Sequence, residues 1–240
     1  MNRKPYLIEV QVAREKIDDF NEYPFDIPAI KNLSSIRFHE DVTFFVGENG
    51  AGKSTLIEAI ALSLGFGPEG GTRNVQFSTH NNTSKLVDYL RLIRGYKSPD
   101  DYYFLSTESF YNVATYMEQI NYIKGYGGSP HTKSHGESIL AVLTKKLQGN
   151  GLYIFDEPEA ALSPARQLTA LAAINQLVQK NSQVIIATHS PILLAYPNAV
   201  IYQLDENGIT EISYQDTPQY QITKGFLNDY KRMINILLEG

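Results

Sequence analysis

The sequence predicts an α/β fold: a mostly parallel central sheet flanked by helices, with an antiparallel β portion and a small helical subdomain. Three observations predict it. Val42–Val46, Leu152–Phe155 and Val184–Ala187 are short, continuous apolar runs, as in strands buried on both faces. Helical stretches alternate with these strands, which requires cover on both sides of the sheet. Segments that read as antiparallel strands sit towards the two ends of the chain.

In chain order, Tyr6–Val12 alternates apolar and polar residues and reads as a strand. Asn21–Pro28 carries two prolines and reads as a connection, followed by a short strand at Ile36–Phe38. Val42–Val46 runs into a glycine loop, and Lys53–Leu64, apolar nearly all round, predicts a helix buried between layers and ended by Gly65 and Gly67. Pro68–Asn82 is a loop, Lys85–Ile93 a helix, Tyr102–Leu105 a strand and Phe110–Ile123 a helix. A glycine-rich loop, Lys124–His135, leads to a helix at Glu137–Leu147. After Leu152–Phe155, Ser163 and Pro164 mark a helix start, serine as N-cap and proline in the first turn, running to Lys180. Beyond Val184–Ala187, Asp205–Gly208 turns a hairpin between Ala199–Leu204 and Ile209–Ser213. Lys224–Leu238 places Phe226, Tyr230, Met233 and Leu237 on one helical face and is expected to dock on the core. The expectation is one domain over residues 1–240, with 67–149 inserted as the helical subdomain.

Bulk properties exclude several classes. With no cysteine, there is no disulfide and no thiolate metal site. No apolar run approaches the ~18 residues of a spanning helix, and no apolar signal core follows Met1–Pro5, so the expected location is cytoplasmic, without a direct membrane span. A net charge of −5 gives no broad basic surface for nucleic acid, although a local patch remains compatible with it.

Gly47, Glu48, Asn49, Gly50, Ala51, Gly52, Lys53 and Ser54 fit G-x-x-x-x-G-K-S/T in full, between a strand and a helix. Glycines let backbone N–H groups turn inward around phosphates, and the helix start adds unpaired donors. Thr55 continues the nucleotide-binding stretch. Lys53 is placed to reach the β- and γ-phosphates and Ser54 to ligate Mg²⁺. Asp156 and Glu157 end an apolar strand, where ligands of parallel sheets bind. Asp156 reads as the second Mg²⁺ partner and Glu157 as the base for the attacking water. His189 ends another buried strand and reads as a contact to the γ-phosphate and that water.

Together these residues resemble the ABC-type ATPases, in which a phosphate loop, a signature motif, an acidic strand end, a D-loop and a switch histidine follow in that order. Gly47–Ser54, Ser134–Glu137, Ile154–Glu157, Ala161–Ser163 and His189 match, and the resemblance covers about Tyr6 to Leu204. The family's L-S-G-G-Q reads Lys133-Ser134-His135-Gly136-Glu137 here; Ser134, Gly136 and Glu137 fit, while Lys133 and His135 depart. Ser134-x-x-Glu137 is also a capping box. Gln76 and Glu108 are the candidates for a Q-loop, and Phe20, Tyr23 and Phe25 for an adenine-stacking aromatic. The resemblance implies Mg–ATP binding and hydrolysis by an ATP-dependent homodimer, with Ser134, His135, Gly136 and Glu137 meeting the ATP of the opposite protomer. The region before the loop resembles the structural-maintenance-of-chromosomes and DNA-repair branch. Residues 67–149 leave no room for a long coiled coil, so the chain is more similar to small stand-alone ABC ATPases of the "AAA-21" type. The expected function is an ATP-driven switch acting on an unidentified protein partner. The alternatives are a non-catalytic nucleotide sensor, the ATP-binding subunit of a transporter, and a repair or defence ATPase that binds nucleic acid.

Overall fold

The computed structural model describes residues 3–75, 84–119 and 132–239. Its strands are β1 (Leu7–Val12), β2 (Ser35–Arg37), β3 (Val42–Gly47), β4 (Leu90–Arg94), β5 (Asp101–Ser106), β6 (Gly151–Asp156), β7 (Gln183–Ala187), β8 (Val200–Asp205) and β9 (Gly208–Glu211). The α-helices are α1 (Pro28–Lys31), α2 (Lys53–Ser63), α3 (Phe110–Gln119), α4 (His135–Ala141), α5 (Pro164–Gln179), α6 (Pro218–Asn228) and α7 (Tyr230–Glu239).

The central sheet has the order β5-β6-β7-β3-β8-β9, parallel except for the β8–β9 hairpin. Alternation along its strands feeds two cores. Phe44, Tyr103, Phe155 and Ile186 face one side, packed with Phe110, Ile139 and Ile174 from α3, α4 and α5. Phe45, Phe104, Ile154 and Ile185 face the other, packed with Leu56, Ile57 and Ile60 of α2 and with Leu7 and Val10 of β1. This is the two-sided cover that continuous apolar strands require.

A second, antiparallel sheet, β2-β1-β4, lies over the α2 side. Gln183, fully buried on β7, clips it to the central sheet. Its Oε1 accepts from the backbone N–H of Tyr6 (2.9 Å) and Leu7 (2.8 Å). Its Nε2 donates to the carbonyls of Leu7 (2.8 Å) and His39 (2.9 Å).

Four local expectations are corrected. Lys85–Ile93 is not one helix: a 3₁₀ turn, Lys85–Tyr89, passes into β4, because β1 offers an edge on which Leu90–Arg94 pairs. Segment 67–149 therefore carries β4 and β5 alongside its helices. The helix expected at Glu137–Leu147 is α4 followed by a π turn, Val142–Lys146, closed by a bond from Leu147 N–H to the Val142 carbonyl (3.2 Å). Ser163 has extended N-cap backbone before α5, but its hydroxyl makes no capping bond. The C-terminal helix is two helices, α6 and α7, parted at Asp229 (φ −145°, ψ 51°). Its apolar face is largely open: Phe226, Tyr230 and Leu237 are 38%, 48% and 72% exposed, Met233 is partly buried, and α6 has no fully buried residue. An amphipathic pattern fixes which side chains share a face, not what that face meets. No helix among the described residues is long and apolar enough to cross a membrane.

Candidate nucleotide site

The site lies where the carboxyl ends of β3, β6 and β7 stand side by side, with Phe45 and Asp156 both opposite Ala187. From β3 the chain turns through the glycine loop into α2. A Cβ on Gly47 would lie 2.5 Å from the Leu204 carbonyl, and one on Gly52 (φ 95°) 2.9 Å from Ile27, so both positions require glycine.

Lys53 opens α2 and folds back under the loop, its Nζ donating to the carbonyls of Gly47 and Glu48, each at 3.0 Å. Burial lowers its pKa, opposed by the charges of Glu157, Asp156 and Glu159. One position on, Ser54 Oγ donates to Asp156 Oδ1 at 3.3 Å, joining the loop to the tip of β6. Burial pushes the Asp156 carboxyl up to about 7, against the Ser54 bond and Lys53, with Glu157 and Glu108 adding to the rise. Ser54 and Asp156 thus present a hydroxyl and an acid that burial disfavours as an anion, a hard oxygen pair that a divalent cation suits. Mg²⁺ takes one or two such protein ligands and completes its shell with phosphate and water. No group of three or more His, Cys, Asp or Glu side chains able to hold a metal occurs among the described residues.

Glu157 adopts a left-handed backbone (φ 49°), a strained position for a non-glycine residue. The strain is held from two sides. Its N–H donates to the Ala187 carbonyl (3.0 Å), and Thr107 Oγ1 donates to the carbonyls of Asp156 (3.1 Å) and Glu157 (2.8 Å). His189 Nε2 stands 3.4 Å from Glu157 Oε1. The loop, both acids and His189 are therefore brought into one cluster.

Ser134–Glu137 makes its contacts with α5 and with the 161–163 segment. The capping box forms: Ser134 N–H donates to Glu137 Oε2 at 2.9 Å and Glu137 N–H to Ser134 Oγ at 3.4 Å. Arg166 of α5 holds both, donating to Ser134 Oγ (3.2 Å) and Glu137 Oε1 (3.1 Å). Gly136 packs so tightly on the 161–163 segment that a Cβ would stand 2.4 Å from the Ala161 carbonyl. His135 meets Tyr111 edge-on at 4.7 Å, and burial lowers its pKa.

Among the aromatic candidates, Phe25 is buried against Tyr89 and Phe20 lies under Arg14, whereas Tyr23 is 62% exposed with its hydroxyl 3.3 Å from Thr55 Oγ1. Glu108 follows β5 and lies close enough for its charge to raise Asp156 and Glu58. Gln76 falls outside the described residues. A cleft of about 440 Å³ runs beside the loop, lined by Glu48–Ala51, Pro28 and Leu204–Asn207. Glu48, Asp205 and Glu206 make it acidic. Three residues of this region escaped the sequence reading. Thr107 follows the strand whose Ser106 is in register with Asp156, Glu159 is a third acid in the same turn, and Arg166 is a cation in the first turn of α5. Position at a strand tip or helix start was the only available signal.

A glycine loop opening α2, joined through Ser54 to an acidic strand tip in a two-sided parallel sheet, is the arrangement of a P-loop ATPase. A family model described as "AAA domain" (AAA_23) matches residues 16–212, and the chain belongs to that family. It is similar to the energy-coupling factor transporter ATP-binding protein EcfA2 of Methanospirillum hungatei, 25% identical over 206 residues, 78% of this chain and 51% of that protein. It is also similar to EcfA1 of Mycoplasma pneumoniae, 27% identical over 186 residues, 68% of this chain and 66% of that protein. The chain thus spans half to two thirds of the length of these curated relatives. Among solved structures, cbiO1 from Clostridium perfringens, described as part of the ABC transporter complex cbiONQ, matches with a TM-score of 0.52 at 17% identity. That match covers 99% of this chain and 100% of cbiO1, and it shows the shared fold.

Proposed function

We propose that the chain binds Mg–ATP at residues 47–55 and hydrolyses it, and that ATP-dependent homodimerisation acts as a switch on a protein partner. The observation that carries this reading is the convergence of Lys53, Ser54, Asp156, Glu157 and His189 at adjacent strand tips. Lys53 would move from the loop carbonyls to the β- and γ-phosphates, a short step because its ammonium already lies inside the loop. Ser54 and Asp156 would hold Mg²⁺, which neutralises phosphate charge when bound. Glu157 would accept a proton from the attacking water, while His189 donates to the γ-phosphate and keeps the base aligned. Tyr23 supplies an exposed ring beside Thr55 for the base. Ser134–Glu137 would close on the ATP of a second protomer, Arg166 holding their geometry. A transporter subunit is the second reading, favoured by the similarity to the EcfA transporter ATP-binding proteins; its mark would be co-purification with a membrane protein.

The test is the solution mass of Glu157→Gln with and without Mg–ATP, beside hydrolysis by the unaltered chain. The expected result is steady hydrolysis by the unaltered chain, none by the variant, and an ATP-induced monomer-to-dimer shift of the variant. A Glu157→Gln variant that hydrolyses at the unaltered rate rejects Glu157 as base, and ATP binding without a mass shift rejects the homodimer. Lys53→Ala should lose ATP binding altogether, read by nucleotide titration.

A further inference from the structure

Glu159 is a buried acid that the proposed reaction does not use. It is 9% exposed, on the turn after β6. The left-handed Glu157 reverses the chain there, and the Glu159 side chain reaches the end of β7, where its Oε1 accepts the backbone N–H of His189 at 2.6 Å. The Glu159 carbonyl accepts the N–H of Leu162 at 2.8 Å. Its second carboxyl oxygen, Oε2, is buried without a well-formed hydrogen bond, and the Thr188 side chain is the other polar group that holds the carboxyl. Such an arrangement is costly, and burial duly raises the Glu159 pKa. An apolar side chain would fill the same volume without that cost. What the carboxyl provides, with the Thr188 side chain beside it, is a short bond to the backbone that carries the His189 imidazole, whose Nε2 lies 3.4 Å from Glu157.

We propose that Glu159 is a positioning residue for ATP hydrolysis: its carboxyl fixes the His189 backbone so that the imidazole stands against Glu157, and its main chain ties the same turn to residues 161–163. This rests on the roles proposed above for Glu157 and His189. A displacement of segment 161–163 is then carried to His189 through a single residue. Loss of the bond frees the strand end by enough to misplace the imidazole, and misplacement on the scale of 1 Å is worth about a hundredfold in rate.

The experiment measures steady-state hydrolysis and nucleotide affinity of the full chain for Glu159→Ala, Glu159→Gln, His189→Ala and the double alanine variant. Glu159→Ala should lower kcat by about ten- to a hundredfold with nucleotide affinity within about twofold. Glu159→Gln should recover most of that loss, because an amide oxygen still accepts from His189. The double variant should be no slower than His189→Ala by more than about twofold, since groups acting as one unit do not multiply their losses. The His189 amide proton should lie downfield in the unaltered chain and in Glu159→Gln, and move upfield in Glu159→Ala. Should the alanine variant fail to fold, Glu159→Met keeps the volume and removes the acceptor. An unaltered kcat in Glu159→Ala, multiplying losses, or no rescue by glutamine overturns the inference alone. An unaltered chain that binds ATP without hydrolysing it overturns the proposed function and this inference together.

Discussion

Burial holds the Asp156 carboxyl at about 7, well above its ordinary 3.8, and this sets a pH dependence. The folded chain binds more protons than the unfolded chain between those values, so the contribution of Asp156 to stability falls as pH rises from about 4 to about 7. Glu159 and Glu58 are raised in the same direction, also chiefly by burial. Asp156→Asn removes only its own share. The nucleotide-free variant should therefore melt above the unaltered chain at pH 8, with the gap closing by pH 4. After allowing for solvent at the half-buried carboxyl, the gap is about 1 kcal/mol, or roughly 2–4 °C. Melting curves at the two pH values check this, and an equal gap at both would assign the effect to packing. Mg–ATP should stabilise the unaltered chain and not the variant.

At the scale of elements, α4 is a short helix held by its first turn. The capping box settles two of its N-terminal donors, Arg166 braces both partners, and Gly136 lets the helix rest on the Ala161 carbonyl. Gly136→Ala brings a Cβ to 2.4 Å of that oxygen, so helix and segment must part. The expected cost is about 1–3 kcal/mol, typical of overpacking. In thermal melts Gly136→Ala should lose a few degrees, and in sedimentation it should lose the ATP-dependent dimer while its ATP affinity as a monomer stays unchanged. A variant that dimerises as the unaltered chain does would separate α4 from the proposed interface.

Across the whole molecule, two sheets share one core through α2, and Gln183 is the buried polar clip between them, beside a bond from the Tyr202 hydroxyl to the Arg37 carbonyl at 2.9 Å. All four of its hydrogen-bonding positions are used, each on a backbone group of the N-terminal region. Gln183→Leu keeps the volume and leaves those backbone groups without their partner. Since each unpaired buried group costs about 1–3 kcal/mol, the loss should be roughly 3 kcal/mol or more. Denaturant unfolding measures it, and hydrogen exchange should show β1 opening before the central sheet. A loss below about 1 kcal/mol would mean that the apolar contacts of Leu7 and Val10 hold the second sheet by themselves.

The sequence by itself determined the central strands, the glycine loop and the acidic strand tip. Each is a contiguous pattern whose meaning depends on neighbours along the chain: Val42–Val46 before Gly47–Ser54, Leu152–Phe155 before Asp156 and Glu157. Tertiary structure alone decided whatever depends on a partner distant in the chain. Leu90–Arg94 became a strand because β1 presents an edge some eighty residues earlier, a pairing that overrides local helical preference. Glu159 and Arg166 acquired partners only when β7 and α4 were brought beside them. The apolar face of α6 and α7 was legible as a face, but its exposure was not, because periodicity orders side chains around a helix and says nothing of the surface on which it lies.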